Sequence, residues 1–104
     1  MIMTTLETVP GMTITQHFGV VSGNSVRSKH VGRDLMAGLK NTFGGELKGY
    51  TELLNESREQ AVQRMIEQAQ QAGANAILNV RFATSAITPG AAEIFVYGTA
   101  VTVS

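Results

Sequence analysis

The closing stretch of the chain, "AEIFVYGTAVTV" (92–103), is apolar on both sides of a strand. At period two, Ile94, Val96, Gly98 and Ala100 line one face. Phe95, Tyr97, Val101 and Val103 line the other, with Glu93 and Thr99 among them. An antiparallel sheet tolerates one wet face, not two buried ones, unless something covers each side. A chain of 104 residues is one domain, spanning 1–104, with material for one helical layer. An adjoining subunit is the economical second cover.

The strand before it, "GANAILNVRF" (73–82), raises the same question. Ala76, Leu78, Val80 and Phe82 share one face, and Asn75, Ile77, Asn79 and Arg81 the other. The first face calls for a core. The second places Asn79 and Arg81 near a shared surface, as specificity contacts among apolar neighbours.

Upstream, residues 2–9 alternate loosely as a first strand, closed by Pro10-Gly11. Residues 12–22 alternate better, with Gly19 and Gly23 on one face, where glycine marks a bulge or a close backbone approach. The polar "SGNSVRSKHVG" that follows reads as a loop. "RDLMAGLKNTF" (33–43) places Leu35, Leu39 and Phe43 on one helical stripe, with Asp34 in the first turn and Gly44-Gly45 as the stop. A longer helix runs from Glu46 to Ala72, its stripe formed by Leu47, Tyr50, Leu54, Ala61, Met65, Ala69 and Ala72, and Gly73 ends it. Pro89-Gly90 turns between strands 75–86 and 92–103.

The order is ββααββ. Tight Pro-Gly connections suggest hairpins, hence an α+β two-layer domain, a mostly antiparallel sheet with two helices on one face.

Composition excludes several classes. Lys and Arg together number eight and so do Asp and Glu, for a formal net charge of zero. That balance leaves no electrostatic footprint for nucleic acid or an anionic membrane. Charged residues make up only 15% of the chain, which favours surface hidden by association. With no cysteine there is no disulfide, thiolate nucleophile or thiolate metal site. The N-terminal stretch has neither a basic n-region nor a long apolar run, so a cytoplasmic protein is expected.

The segments "GVVSGNSV" (19–26), "RDLMAGLKNTFGGELKGY" (33–50), "LLNESREQAVQRM" (53–65), "GANAILNVRF" (73–82) and "EIFVYGTAV" (93–101), in that order, resemble the YbjQ-like family. Its members carry a heavy-metal-binding label. The resemblance implies an α+β subunit assembling with copies of itself into a ring, a pentamer, with no established reaction. It also implies a metal as a possible ligand. A soft heavy metal prefers thiolate or thioether. This chain has only five scattered methionines, whose ordinary role is core filling.

The candidate ligand residues are few. His17 and His30 are too far apart for a paired ligand spacing on a helix. A symmetry axis gathers copies of one residue, so a metal would be held weakly, by His30 or by carboxylates around that axis. "RSKH" (27–30) is a small basic loop, solvated or forming an anion-binding rim. The glycines of "GVVSGNS" lack the spacing and terminal Lys-Ser/Thr of a P-loop. Ser22, Ser25 and Ser28 have no credible triad partners.

Arg58 falls about 40° from Leu54 at about 100° per residue, within the stripe of Ala61 and Met65. A buried guanidinium there needs an acid such as Asp34, or belongs to an anion pocket. His30, Asp34, Arg58 and Arg81 are therefore the candidate ligand-binding residues. An enzyme would need His30, Asp34, Glu46 and Tyr50 to converge between subunits. The reading is a non-enzymatic ring-forming protein that binds a metal or small ligand; an interfacial enzyme and a ligand-free scaffold are the rivals.

Overall fold

The computed structural model describes residues 1–27, 48–88 and 91–104. Its elements are β1 (Ile2–Met3), β2 (Ile14–Arg27), α1 (Lys48–Ala72), β3 (Ala76–Thr88) and β4 (Ala91–Val103). The strands form one mixed sheet in the order β1-β3-β4-β2. The α+β class holds. The described residues contain one helix; the helix expected over 33–43 and the Pro89-Gly90 turn lie outside them.

Three expectations change. The first strand is two residues long and runs parallel to β3, with Ile2 opposite Ala76. It lies at the sheet edge opposite β2, so the two form no hairpin. The Pro10-Gly11 turn is real: the Met12 N–H donates to the Val9 carbonyl at 3.0 Å, and Gly11 has φ 78°. Positive φ after proline is the type II pattern. This turn redirects a strap, residues 4–13, that crosses from one sheet edge to the other.

Second, β2 does not stop at Ser22. It pairs antiparallel with β4 as far as Arg27 opposite Ala92, so "SGNSVR" is strand. Its inward residues are Val21, Gly23 and Ser25, all buried. Small side chains are needed there because α1 lies very close. A Cβ on Gly23 would sit 2.0 Å from the Ala61 carbonyl oxygen and 2.7 Å from the Met65 nitrogen. Polarity had suggested a loop; the close approach of a helix explains it.

Third, β3 changes face midway. Asn79 has φ 53°, and the register with β4 shifts between Leu78 and Arg81. Asparagine is among the few non-glycine residues that enter the left-handed region readily. This bulge separates the residues expected on one side. Ala76 and Leu78 pack with Val101 and Val103 on the face away from the helix, whereas Val80 joins Ile77 in the helix-side core.

That main core sits between α1 and the sheet. Ser57, Ala61, Met65 and Ala69, every fourth residue, form the buried stripe of the helix, with Val62 and Ile66 beside it. They meet Val21, Ile77, Ile94, Val96 and Ala100. Gly73 (φ 94°) closes the helix: its N–H donates to the Gln70 carbonyl and the Ala74 N–H to the Ala69 carbonyl, both at 3.0 Å. These are the two bonds of a Schellman ending.

Candidate functional site

The second sheet face is the one for which the sequence called for an adjoining subunit as cover; its lower half is covered instead by the strap of the same chain. Val9 packs on Ala76, Leu78, Val101 and Val103. The polar residues of "GANAILNVRF" hold that arrangement together. The Asn75 side chain imitates a strand: Nδ2 donates to the Val103 carbonyl at 2.9 Å, and Oδ1 accepts the Val103 N–H at 2.8 Å. The Asn79 N–H, turned outward by the bulge, donates to the Leu6 carbonyl at 3.0 Å. Arg81 Nη1 donates to the carbonyls of Thr5 at 3.0 Å and Val80 at 2.9 Å. Arg81 was expected at a subunit contact; within the chain it serves as a latch for the strap.

Above the strap, no described residue covers the same face. Phe95 and Tyr97 stack with ring centroids 5.5 Å apart. Tyr97 is 39% exposed. On the neighbouring strand β2, Val20 pairs with Thr99 and Val26 with Glu93, placing both valines on this face. Val20 is 75% exposed. Asn24 Nδ2 donates to Glu93 Oε2 at 2.9 Å at the margin. The result is an apolar, aromatic-centred patch with an amide–carboxylate pair at its side.

Arg58 does not lie on the buried stripe. It is exposed, and its guanidinium donates to Asn55 Oδ1 within the same helix. The stripe is centred on Ala61 and Met65, and Leu54, used as the reference for Arg58, is itself 44% exposed. Arg58 therefore follows the solvent flank of the helix, beside Val62. With Glu59, Val62 and Gln63 it lines an open groove of about 320 Å3. Arg58 is thus not the buried guanidinium expected; its expected partner Asp34, with His30, Glu46 and the side chain of Tyr50, lies outside the described residues. His17 is exposed on β2 and joins no cluster of metal-ligand side chains among the described residues.

Among the described residues no three His, Asp or Glu side chains gather as metal ligands. The chain also lacks cysteine. Met65 is buried in the core, while Met1, Met3 and Met12 are exposed. A soft heavy metal is held by convergent thiolate or thioether ligands; the chain has no thiolate to offer, and the fifth methionine, Met36, lies outside the described residues. No described helix is long and apolar enough to cross a membrane.

The sequence reading missed a second group of polar residues. Along α1, Gln60, Arg64 and Gln68 follow one another at intervals of four and reach the outer margin of β2. Ser25 Oγ donates to Gln60 Oε1 at 2.8 Å, Arg64 Nη1 donates to the Asn24 carbonyl, and the Ser22 N–H donates to Gln68 Oε1 at 2.7 Å. Their spacing was visible; their partners were hidden by the reading of 22–27 as loop.

The fold and this face define a small α+β domain with a strapped sheet. Residues 1–104 match the family described as "Putative heavy-metal-binding". The UPF0145 protein of Hahella chejuensis is 64% identical over 101 residues, 97% of each chain. That of Acinetobacter baylyi is 67% identical over 95 residues, covering 91% of this chain and 88% of its own. A crystal structure of a protein of unknown function from Pediococcus pentosaceus, of the DUF74 family, superposes with a TM-score of 0.66 at 18% identity. It covers 100% of this chain and 98% of that one, a likeness of fold alone. The chain belongs to the YbjQ-like family, whose curated relatives bear the UPF0145 name.

Proposed function

We propose that this chain is a non-enzymatic subunit of a closed homo-oligomer, five-membered by family resemblance, that binds a small ligand where its subunits meet. The observation that supports assembly is the open upper half of the second face. Tyr97, Phe95, Val20 and Val26 form one apolar surface where the strap does not reach. Contiguous exposed apolar patches on soluble proteins mark interaction sites. Aromatic residues with a polar margin are what protein interfaces concentrate.

The ligand is a small anion or a hard or borderline metal. The absence of cysteine and of any gathered donor set among the described residues argues against a soft one. His30 and Asp34, repeated by symmetry, are the residues proposed to supply such a site.

Light scattering on the purified, untagged protein tests the assembly. A mass of several subunits at micromolar concentration is expected, and a monomer would refute it. Elemental analysis of the same sample, followed by titration with zinc, manganese and inorganic phosphate, tests the ligand. One tight mercury- or copper-selective site per monomer would refute the proposed ligand class.

A further inference from the structure

The upper half of the second face is not uniformly apolar. Three polar side chains surround Tyr97 there. Arg81 lies opposite it on β3 and Ser22 opposite it on β2. Thr99 follows two residues further along β4, on the same face. Phe95 stacks on one side of the Tyr97 ring, so the other side looks along the strand over Thr99, toward the strap. No described ring lies against that side.

Much of the bonding capacity around it is unused. Arg81 donates to the Thr5 and Val80 carbonyls through Nη1 alone. Its Nε and Nη2 donors, the rest of the guanidinium fork, have no acceptor among the described residues. No described carboxylate pairs with it, since Glu93 is engaged with Asn24 four residues away along β4. The hydroxyls of Ser22 and Thr99 likewise have no partner among the described residues. The two carbonyl bonds already hold the guanidinium in place, so little further ordering is needed when a ligand arrives. An apolar surface with a few convergent polar groups is the ordinary make-up of a small-molecule site.

We infer that Tyr97 and Arg81 form a binding site for a planar aromatic carboxylate. The ligand ring stacks on the side of Tyr97 that Phe95 leaves bare, and the carboxylate accepts from Arg81 Nε and Nη2. Stacking selects a flat ring, and a guanidinium fork selects a planar two-oxygen anion. Residues directly opposite on antiparallel strands have Cβ atoms only about 4.5–5.5 Å apart. The anion must therefore sit within a bond or two of the ring. A ring carboxylate meets that condition, whereas a nucleotide, with a sugar between base and phosphate, reaches too far. This inference deepens the small-anion reading above and rests on it for the sign of the ligand's charge. It uses neither His30 nor Asp34 and holds for any number of subunits.

The test is isothermal titration of the full chain with benzoate, cyclohexanecarboxylate, benzyl alcohol, adenosine monophosphate and inorganic phosphate. Benzoate should bind once per chain, and the other organic probes at least about tenfold more weakly, since each lacks the flat ring, the charge or the short reach. Tyr97→Leu and Arg81→Gln should each weaken benzoate by at least about tenfold. Gln71→Lys, at an exposed position on α1, should leave it unchanged. Cyclohexanecarboxylate or adenosine monophosphate binding as tightly as benzoate would overturn the inference, as would folded variants that keep the parent's affinity. Should Arg81→Gln fail to fold with its strap released, Tyr97→Leu and the ranking of probes on the parent decide. Phosphate binding without benzoate binding would overturn this site and leave the small-anion reading standing. Binding of neither would overturn both.

Discussion

Gly23 and Ala61 touch through their backbones: a Cβ on Gly23 would lie 2.0 Å from the Ala61 carbonyl oxygen. No side-chain rotation relieves a clash with main chain. Gly23→Ala should therefore cost about 3 kcal/mol, the upper end of overpacking penalties, or prevent folding outright. Chemical denaturation of the variant checks this, and a midpoint equal to that of the parent would show that helix and strand are farther apart than described.

Arg58→Ala should do little. The guanidinium is exposed and its partner, Asn55, lies on the same helix. Substitutions of this kind stay within about 0.5 kcal/mol. Thermal melts of parent and variant should nearly superimpose. A loss of about 3 kcal/mol, as breaking a buried ion pair would give, would restore the buried role that its position in the sequence suggested.

Asn79 discriminates by conformation. Its φ of 53° suits asparagine and glycine and penalises a β-branched residue. Asn79→Gly should be nearly neutral, whereas Asn79→Val should cost roughly 1–2 kcal/mol. The pair of melts is the check. Equal stability of the two variants would mean that the bulge is not required.

Arg81→Ala should release the strap more than it destabilises the fold. The Thr5 carbonyl loses its donor, a loss of about 1 kcal/mol for an exposed bond. Faster amide exchange at Thr4 and Asn79, whose N–H groups tie β3 to the strap, is the expected signature, with faster proteolysis over 4–9. Unchanged exchange there, with a lower global melting temperature, would assign Arg81 to the core instead.

How much of this was legible in the sequence varies by element. The two faces of β4 and the end of α1 at Gly73 were readable, because period two and a C-terminal glycine are local signals. The two-residue β1 was not, since its parallel partner lies more than seventy positions away and strict alternation cannot reveal where a strand is paired. β3 misled for one reason: a single left-handed residue, Asn79, reverses the alternation that assigned Val80 and Phe82 to the face of Leu78. β2 misled because Gly23 and Ser25 are small to admit a helix, and smallness resembles a loop. Among the candidate ligand residues, Arg81, expected at a shared surface, is bound to backbone carbonyls of its own chain. Arg58 was misplaced because Leu54, taken as the marker of the buried stripe, lies outside it.

The contacts of Gln60, Arg64 and Gln68 with Ser25, Asn24 and Ser22 also act as a vernier. A helix repeats about every 5.4 Å along its axis, while a strand presents the same side about every 6.7 Å, two residues of roughly 3.3–3.4 Å each. The two rulers do not share a short common period. Sliding α1 by one turn along β2 would bring no second set of donors and acceptors into line, so the three contacts permit one axial position of the helix and reject its neighbours.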